Sequence, residues 1–148
     1  MTTLPPAFKS LLSAFKRADE LDRDTQRENR IVAYHIRYWG VTKAAKLMSK
    51  DPEEQKFIAS QLDLLEKISP QLHIGEGEGK TICIQQATLL FDRADEIDRA
   101  GFADKATAKL FYTAATIYDS LEQFGEQDNE VRRTRGAFSN ITFLTVKL

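Results

Sequence analysis

The chain has 148 residues, of which 42% are hydrophobic and 29% charged, and its formal net charge is −1. This composition is typical of a folded chain with one modest core or two small ones, and the near-neutral charge excludes a broadly basic nucleic-acid-binding protein. A single cysteine, Cys83, excludes an intrachain disulfide. Because no signal-peptide pattern is present, the chain is expected to be cytoplasmic.

Apolar residues at spacings of three and four predict three helices in the first half of the chain. The first is predicted to end near Asp24 and the second to run over about 29–50. The apolar stripe of the second helix is predicted to consist of Ile31, Tyr34, Tyr38, Val41, Ala45 and Met48. The third helix is predicted to begin with Asp51 at its N-cap, with Glu54 reaching back to it, and to end at Pro70.

A polar, glycine-rich stretch separates two groups of predicted helices. It covers residues 73–79 and is interpreted as a linker between a first unit, 1–72, and a second unit, 80–148. Three further helices are predicted in the second unit, the last over about 127–147. Its tail, 141–146, is rich in β-branched residues, but no other segment offers a partner strand. The predicted fold is therefore all-α, with two tandem three-helix bundles.

An internal repeat supports this division into two units. Residues 15–23 recur as residues 91–99, and seven of the nine positions are identical. Both copies end the first predicted helix of a unit. Their separation of 76 residues suits a three-helix unit and exceeds the periods of about 34 to 47 residues found in two-helix solenoid repeats.

The residue types that carry enzymatic chemistry do not form a recognisable site. Residues 75–81 resemble a phosphate-binding loop, but Ile74 occupies the place of its first glycine and the preceding segment is predicted to be helical. His35, His73 and Cys83 lack the spacing of metal ligands or of a nucleophilic pair. No enzyme activity, metal or cofactor is therefore predicted, and Cys83 is interpreted as a small core residue.

Charged side chains are predicted to form complementary surfaces. The repeat places aspartates beside arginines, so solvated ion pairs are expected instead of acid–base catalysis at Asp19, Asp22, Asp95 and Asp98. The second helix is basic through Arg27, Arg30, Arg37, Lys43, Lys46 and Lys50. Pairing with acidic residues of the third helix is the favoured interpretation, and the alternative is a surface for an anionic membrane or another anionic partner.

The third predicted helix has more apolar surface than a three-helix bundle requires. Its apolar residues span an arc of about 160°, whereas one buried face needs about 100°. Ile58 and Leu62 lie beside the main stripe, and Asp63 and Glu66 border the surplus. Two explanations stay open from the pattern alone: a groove for a partner's amphipathic helix, or a face covered by the other unit.

Four segments resemble motifs of the Vta family. Residues 93–101 (RADEIDRAG), 108–115 (AKLFYTAA) and 123–126 (QFGE) are similar to the family's A-D-x-x-D-R-A-G, K-x-F-Y-T-A-S and x-F-G-E. Residues 32–39 (VAYHIRYW) are similar to its V-A-Y-Y-C-R-L-Y. The resemblance extends over essentially the whole chain. It implies two tandem microtubule-interacting and trafficking (MIT) domains, each of them a three-helix bundle.

The resemblance also implies an adaptor without catalytic activity. Members of the family bind C-terminal helical tails of ESCRT-III subunits during multivesicular body formation, and they are cofactors of the Vps-four AAA ATPase. Such an adaptor would be recruited from the cytoplasm to endosomes by its partners. Relatives stimulate the ATPase through a separate C-terminal domain that these 148 residues do not include. The resemblance therefore implies either part of a longer protein or one that binds tails without activating the ATPase by that route.

Transferred by position, the resemblance implies partner-binding residues on the third helix. Leu62 and Leu65 fall on the surface that relatives use for a leucine-rich tail, and Ile58 lies beside them. Asp63 and Glu66 would then pair with basic residues of the tail. The alternative function is a generic helical scaffold that binds another amphipathic partner, or an anionic membrane through its basic second helix.

A second binding surface is implied on the last helix, where relatives carry K-Y-A-x-W-K. Residues 135–140 of this chain read RGAFSN, so Phe138 is the nearest aromatic residue. Gly136 is expected to weaken the helix by about 1 kcal/mol relative to alanine. The tyrosine and the tryptophan of the family motif are thus missing at this place in the chain.

Overall fold

The computed structural model describes residues 3–125, and the chain divides into two compact units, 1–79 and 80–148. All regular elements within residues 3–125 are helices, which confirms the all-α fold. The predicted sixth helix and Phe138 lie outside the described residues. None of the helices in the described range combines the length and the apolar character that a membrane span requires.

Unit 1 contains three helices that pack around one core. They follow a short 3₁₀ helix, Pro6–Leu11, and are α1 (Leu12–Asp22), α2 (Arg27–Leu47) and α3 (Pro52–Leu72). The helix α2 contacts both α1 and α3. Aromatic rings meet at the centre, where the ring of Phe57 lies 5.7 Å from that of Phe8 and 5.2 Å from that of Phe15. Unit 1 is therefore a three-helix bundle.

The buried face of α2 differs from the predicted stripe. Tyr38 is 47% exposed, and Ala45 and Met48 are also exposed, so the stripe is wrong at these positions. The buried residues are Ile31, Val32, Ala33, Ile36, Arg37, Gly40, Val41 and Ala44. Gly40 allows a close approach, because a Cβ atom there would come within 3.0 Å of the Phe15 ring. Small residues, which add little to an apolar stripe, therefore decide which side of α2 faces α1.

The N-terminus of α3 is capped by Asp51, as predicted, although the hydrogen bonds differ from the expected pattern. The Asp51 carboxylate accepts a hydrogen bond of 2.9 Å from the backbone N–H of Glu53. Glu54 does not reach back to Asp51. Its carboxylate accepts instead from the backbone N–H and the hydroxyl of Ser49, at 2.9 and 3.1 Å. This contact fixes the turn between α2 and α3.

The helix α3 extends beyond its predicted end. Pro70 lies inside the helix, which ends at Leu72, and His73 adopts a left-handed conformation with φ 49°. The predicted linker is also shorter than expected, because the next helix begins at Glu78. The Glu78 carboxylate accepts a hydrogen bond of 2.9 Å from the backbone N–H of Gly75, which orders the turn that precedes it.

The described part of unit 2 contains two helices that pack against each other. They are α4 (Glu78–Arg99), whose residues from Lys80 onward belong to this unit, and α5 (Lys105–Ser120), followed by a short 3₁₀ helix, Leu121–Phe124. A capping box formed by Asp104 and Thr107 starts α5. The rings of Phe91 and Phe111 lie 5.8 Å apart and join the two helices.

Candidate functional site

A shallow groove runs between α2 and α3 on the surface of unit 1. Its volume is about 400 Å³, and it is lined by Tyr34, Tyr38, Leu62, Leu65, Glu66, Ser69 and Pro70. Leu65 is 5% exposed, whereas Leu62 is 45% exposed. The α3 wall therefore presents leucines and the α2 wall presents tyrosines. An apolar groove with one charged residue, Glu66, at its edge has the form that binds an amphipathic helix.

The structure brings three of the predicted binding residues together and leaves two others apart. Leu62, Leu65 and Glu66 line the groove. Ile58 does not line it, because its side chain is 8% exposed and packs in the core cluster of unit 1. Asp63 is exposed on α3 but is not among the lining residues. The geometry thus assigns Ile58 a core position.

Sequence reasoning missed the tyrosine wall of the groove. The predicted stripe counts Tyr34 and Tyr38 as core residues, but both line the groove, with stacked rings 6.5 Å apart. A tyrosine ring prefers a position where its hydroxyl can still reach water, and such a position is the edge of a helix interface. Gly40 could have indicated this arrangement. A glycine in a helix marks a side of close packing, and Gly40 packs against Phe15 on the side of α2 that faces α1.

A buried arginine connects the three helices of unit 1. Arg37 is 1% exposed, and its Nη2 donates to Asp19 Oδ1 at 2.9 Å and to Asp22 Oδ2 at 2.6 Å. Its Nη1 donates to Gln61 Oε1 on α3 at 2.8 Å. Burial raises the pKa of the Asp22 carboxyl, against the opposing effect of Arg37. The expectation of solvated pairs with neighbouring arginines is therefore wrong for the first repeat.

Two basic residues of α2 are engaged inside unit 1. Arg37 is buried, and Arg27 donates to both carboxylate oxygens of Glu78 at 2.8 and 3.0 Å. Arg27 also donates to the carbonyls of Leu72 and His73, which end α3. The hydrogen bonds from Arg27 and Gly75 lower the pKa of Glu78 to about 2. The predicted pairing with acids of α3 is thus wrong for these two arginines, and so is a basic surface that includes Arg37.

The other residues with reactive side chains have structural positions. Cys83 is fully buried on α4, and burial raises the pKa of its thiol to about 12, so it packs as a core residue. Among the described residues, no group of three or more His, Cys, Asp or Glu side chains is arranged so that it could hold a metal ion. Gly79 belongs to α4 and leaves no room for a Cβ atom against the His35 ring, which argues against a phosphate-binding loop at residues 75–81.

Comparison with known proteins shows which family the chain resembles. Residues 10–142 match the family described as "Vta1 like". The chain is 34% identical over 149 residues to the proteins named vacuolar protein sorting-associated protein VTA1 homolog of Bos taurus and Homo sapiens, a match that covers 95% of this chain and 47% of each relative. It is 32% identical over 119 residues to the Arabidopsis thaliana protein named homolog of mammalian LYST-interacting protein 5, covering 79% of this chain and 27% of that protein. The chain spans half or less of the length of these curated relatives.

Proposed function

Because the chain belongs to the Vta1-like family, we propose that it is a non-enzymatic adaptor in vacuolar and endosomal protein sorting. Its two units are MIT domains, and the groove between α2 and α3 binds the C-terminal helical tail of an ESCRT-III subunit. The adaptor is recruited from the cytoplasm to endosomes by its partners. It regulates the Vps-four AAA ATPase. This last role rests on family membership, whereas the tail-binding role also rests on the groove.

The exposed leucine in the α2/α3 groove is the observation that carries the proposal. Leu62 is 45% exposed, and the buried Leu65 lies beside it in the same groove. A docked helix that covers this surface gains about 25 cal/mol for each Å² of apolar surface removed from water. Glu66 at the groove edge can pair with a basic side chain of the tail, and such a pair favours one register over others.

The binding is expected to be weak to moderate. A tail that is disordered in solution must become ordered when it docks, and this ordering opposes the gain from apolar burial. A second tail-binding surface around Phe138 belongs to the same proposal and rests on the family resemblance alone.

Fluorescence anisotropy tests the groove directly. The chain is titrated against labelled C-terminal tail peptides of each ESCRT-III subunit from the same organism, and we expect saturable binding to a subset. Leu62→Asp should weaken that binding at least about tenfold, because it places a charge in the apolar contact. Leu47→Asp is the matched control, since Leu47 is 50% exposed at the end of α2 and does not line the groove.

The helicity and the melting temperature of both variants should stay close to those of the parent chain, because both leucines are exposed. Equal affinities for the Leu62→Asp variant, the Leu47→Asp variant and the parent chain would contradict the groove assignment. Binding to none of the tails would contradict the proposed function itself.

A further inference from the structure

The C-terminal end of α2 exposes apolar side chains that the α2/α3 groove does not use. Leu47, the last residue of the helix, is 50% exposed, and Met48, which follows it, is 40% exposed. Met48 has an extended backbone, with φ −65° and ψ 133°, so it begins the turn that leads to α3. Neither residue lines the groove.

Lysines flank this apolar pair on both sides. Lys43 and Lys46 precede it on α2, and Lys50 follows it in the turn. No acidic residue occurs between residues 29 and 50. Lys46 and Lys50 are exposed, and neither forms an ion pair with a described residue. We refer to the three lysines and the two apolar residues as the α2 end patch: Lys43, Lys46, Leu47, Met48 and Lys50.

The side of α2 that leads to the patch has the residue types of a membrane interface. Residues 39, 43 and 46 lie within an arc of about 60°, because successive residues of an α-helix are about 100° apart. Trp39 is partly buried, and Lys43 Nζ lies 6.0 Å from the centroid of its ring. Tryptophan and lysine side chains both favour the boundary between lipid and water.

The acidic residues that follow the patch are held at the start of α3. Glu54 is buried and its carboxylate accepts hydrogen bonds from Ser49, whereas the Asp51 carboxylate caps α3. Glu53 is exposed in the first turn of α3, where the positive end of the helix dipole offsets part of its charge. Two of the three carboxylates are thus engaged by hydrogen bonds, whereas Lys46 and Lys50 can pair with an external anion.

The shape and chemistry of the patch fit a lipid surface. A docked helix needs a groove such as the one between α2 and α3, whereas the patch is the end of a helix and the turn after it. Leucine and methionine can enter the headgroup region of a bilayer, and lysines can pair with lipid phosphates while their stems lie along the acyl boundary. We propose that the α2 end patch is a membrane-contact surface, which binds bilayers that contain anionic phospholipids.

This contact goes beyond the proposed function, in which partners bring the chain to endosomes. Three lysines are fewer than the about four to eight of a strong polybasic segment, so the contact is expected to be weak by itself. A chain that a partner already holds at the membrane meets the lipid at a high effective concentration, so the two contacts reinforce each other. Lipid binding should weaken with rising salt concentration, because Lys46 and Lys50 are exposed.

Vesicle flotation tests the proposal. The full chain is mixed with phosphatidylcholine vesicles that contain or lack phosphatidylserine, and we expect it to float with the anionic vesicles alone. Lys46→Glu/Lys50→Glu should lower the apparent affinity at least about tenfold, and Leu47→Asp should also lower it. Arg23→Glu/Lys67→Glu is the matched control, since it changes the net charge equally at exposed positions outside the patch. Its affinity should stay within about twofold of the parent chain.

An environment-sensitive dye reports which part of the chain meets the lipid. A nitrobenzoxadiazole dye attached to Met48→Cys should become brighter on anionic vesicles. The same dye attached to Gln71→Cys, an exposed position near the other end of α3, should change little. Cys83 is buried, so the introduced cysteine takes the label.

Tail binding separates this proposal from the proposed function. Leu47→Asp should lose vesicle binding and keep the binding of an ESCRT-III tail, and Leu62→Asp should do the opposite. Circular dichroism shows whether each variant is folded. The membrane contact would be overturned if the chain did not float with anionic vesicles, or if the patch reversal and the control reversal weakened flotation equally. Equal brightening of the dye at positions 48 and 71 would also overturn it.

Discussion

A nine-residue sequence, identical at seven positions, ends the first helix of each unit, but its aspartates have different partners in the two places. In unit 1, Asp19 and Asp22 bind Arg37, which comes from the next helix and is 1% exposed. In unit 2, Asp95 pairs at 3.1 Å with Arg99, which lies four residues further along the same helix and is 80% exposed. One copy therefore pairs with a buried arginine of another helix, and the other pairs with an exposed arginine of its own helix.

The two copies of the repeat share a packing contact but differ in their ion pairs. The central alanines, Ala18 and Ala94, are both 0% exposed, so each copy uses this position for close helix packing. The electrostatic role of the aspartates depends on Arg37, which lies outside the repeated segment. Similar sequence thus preserves the packing contact, while a residue of another helix determines what the charges do.

The largest expected effect is the loss of the buried arginine. Arg37→Met should lower the free energy of unfolding by about 3 kcal/mol, because it leaves two partly buried carboxylates without their cation. The corresponding change in unit 2, Arg99→Met, should cost less than about 0.5 kcal/mol, because an exposed pair contributes little. Urea denaturation of the full chain, followed by circular dichroism, measures both values.

A rescue variant sharpens this test. Adding Asp19→Asn and Asp22→Asn to Arg37→Met should recover part of the lost stability, since the stranded charges are then removed as well. Equal costs for Arg37→Met and Arg99→Met, or no recovery in the triple variant, would show that the two copies do not differ in the way described.

A smaller effect, equal in the two units, is expected at the shared alanines. Ala18→Leu and Ala94→Leu should each destabilise the chain by about 2 kcal/mol, because both sites are fully buried and have no room for three more carbon atoms. The same denaturation experiment applies. If either variant is as stable as the parent chain, the repeat does not preserve the packing contact in both units.

The smallest effects are expected from acid titration, which separates the Arg37 network from the partly exposed pair of Arg27 and Glu78. The pKa of Glu78 is about 2 in the folded chain, below its ordinary value of 4.5. Its contribution to stability is therefore present above about pH 4.5 and lost as the pH falls towards 2. Burial raises the pKa of Asp22 above its ordinary value of 3.8, so the folded state gains relative stability as the pH falls through that raised pKa.

Two variants measure these opposite pH dependences of stability. The stability difference between the parent chain and Glu78→Gln should shrink to zero as the pH is lowered to about 2. The difference between the parent chain and Asp22→Asn should instead be larger at acid pH than at pH 7. Differences that change in the same direction would contradict the environments assigned to the two carboxyls.

Much of the fold could be predicted from the sequence, because it depends on local patterns. The helical class follows from apolar spacing, and Asp51 and Pro52 mark the start of α3. Pro70 misled the prediction of the end of α3, because a proline can remain in a helix whose neighbouring contacts hold it. The face of α2 was harder to predict, because glycine and alanine pack closely although they contribute little to a hydrophobic pattern.

The candidate site was only partly predictable. The surplus of apolar surface on α3 left open whether Leu62 lines a groove or is covered by the other unit. In the structure Leu62 is 45% exposed and lies in a groove with Leu65 and Glu66. The burial of Arg37 could not be read from composition, since a basic helix predicts an exposed charged face. Its partners lie 15 to 24 residues away in the sequence and are brought together by the fold.

The most direct test of the adaptor account is to map the bound tail on the full chain. Amide chemical shifts of the isotopically labelled chain are followed while an unlabelled ESCRT-III tail peptide is added. The account predicts that the largest changes fall on the α2/α3 groove, at Tyr38, Leu62 and Ser69, with little change at Leu12 and Ser60. Changes centred on another surface, or none at saturating peptide, would contradict it.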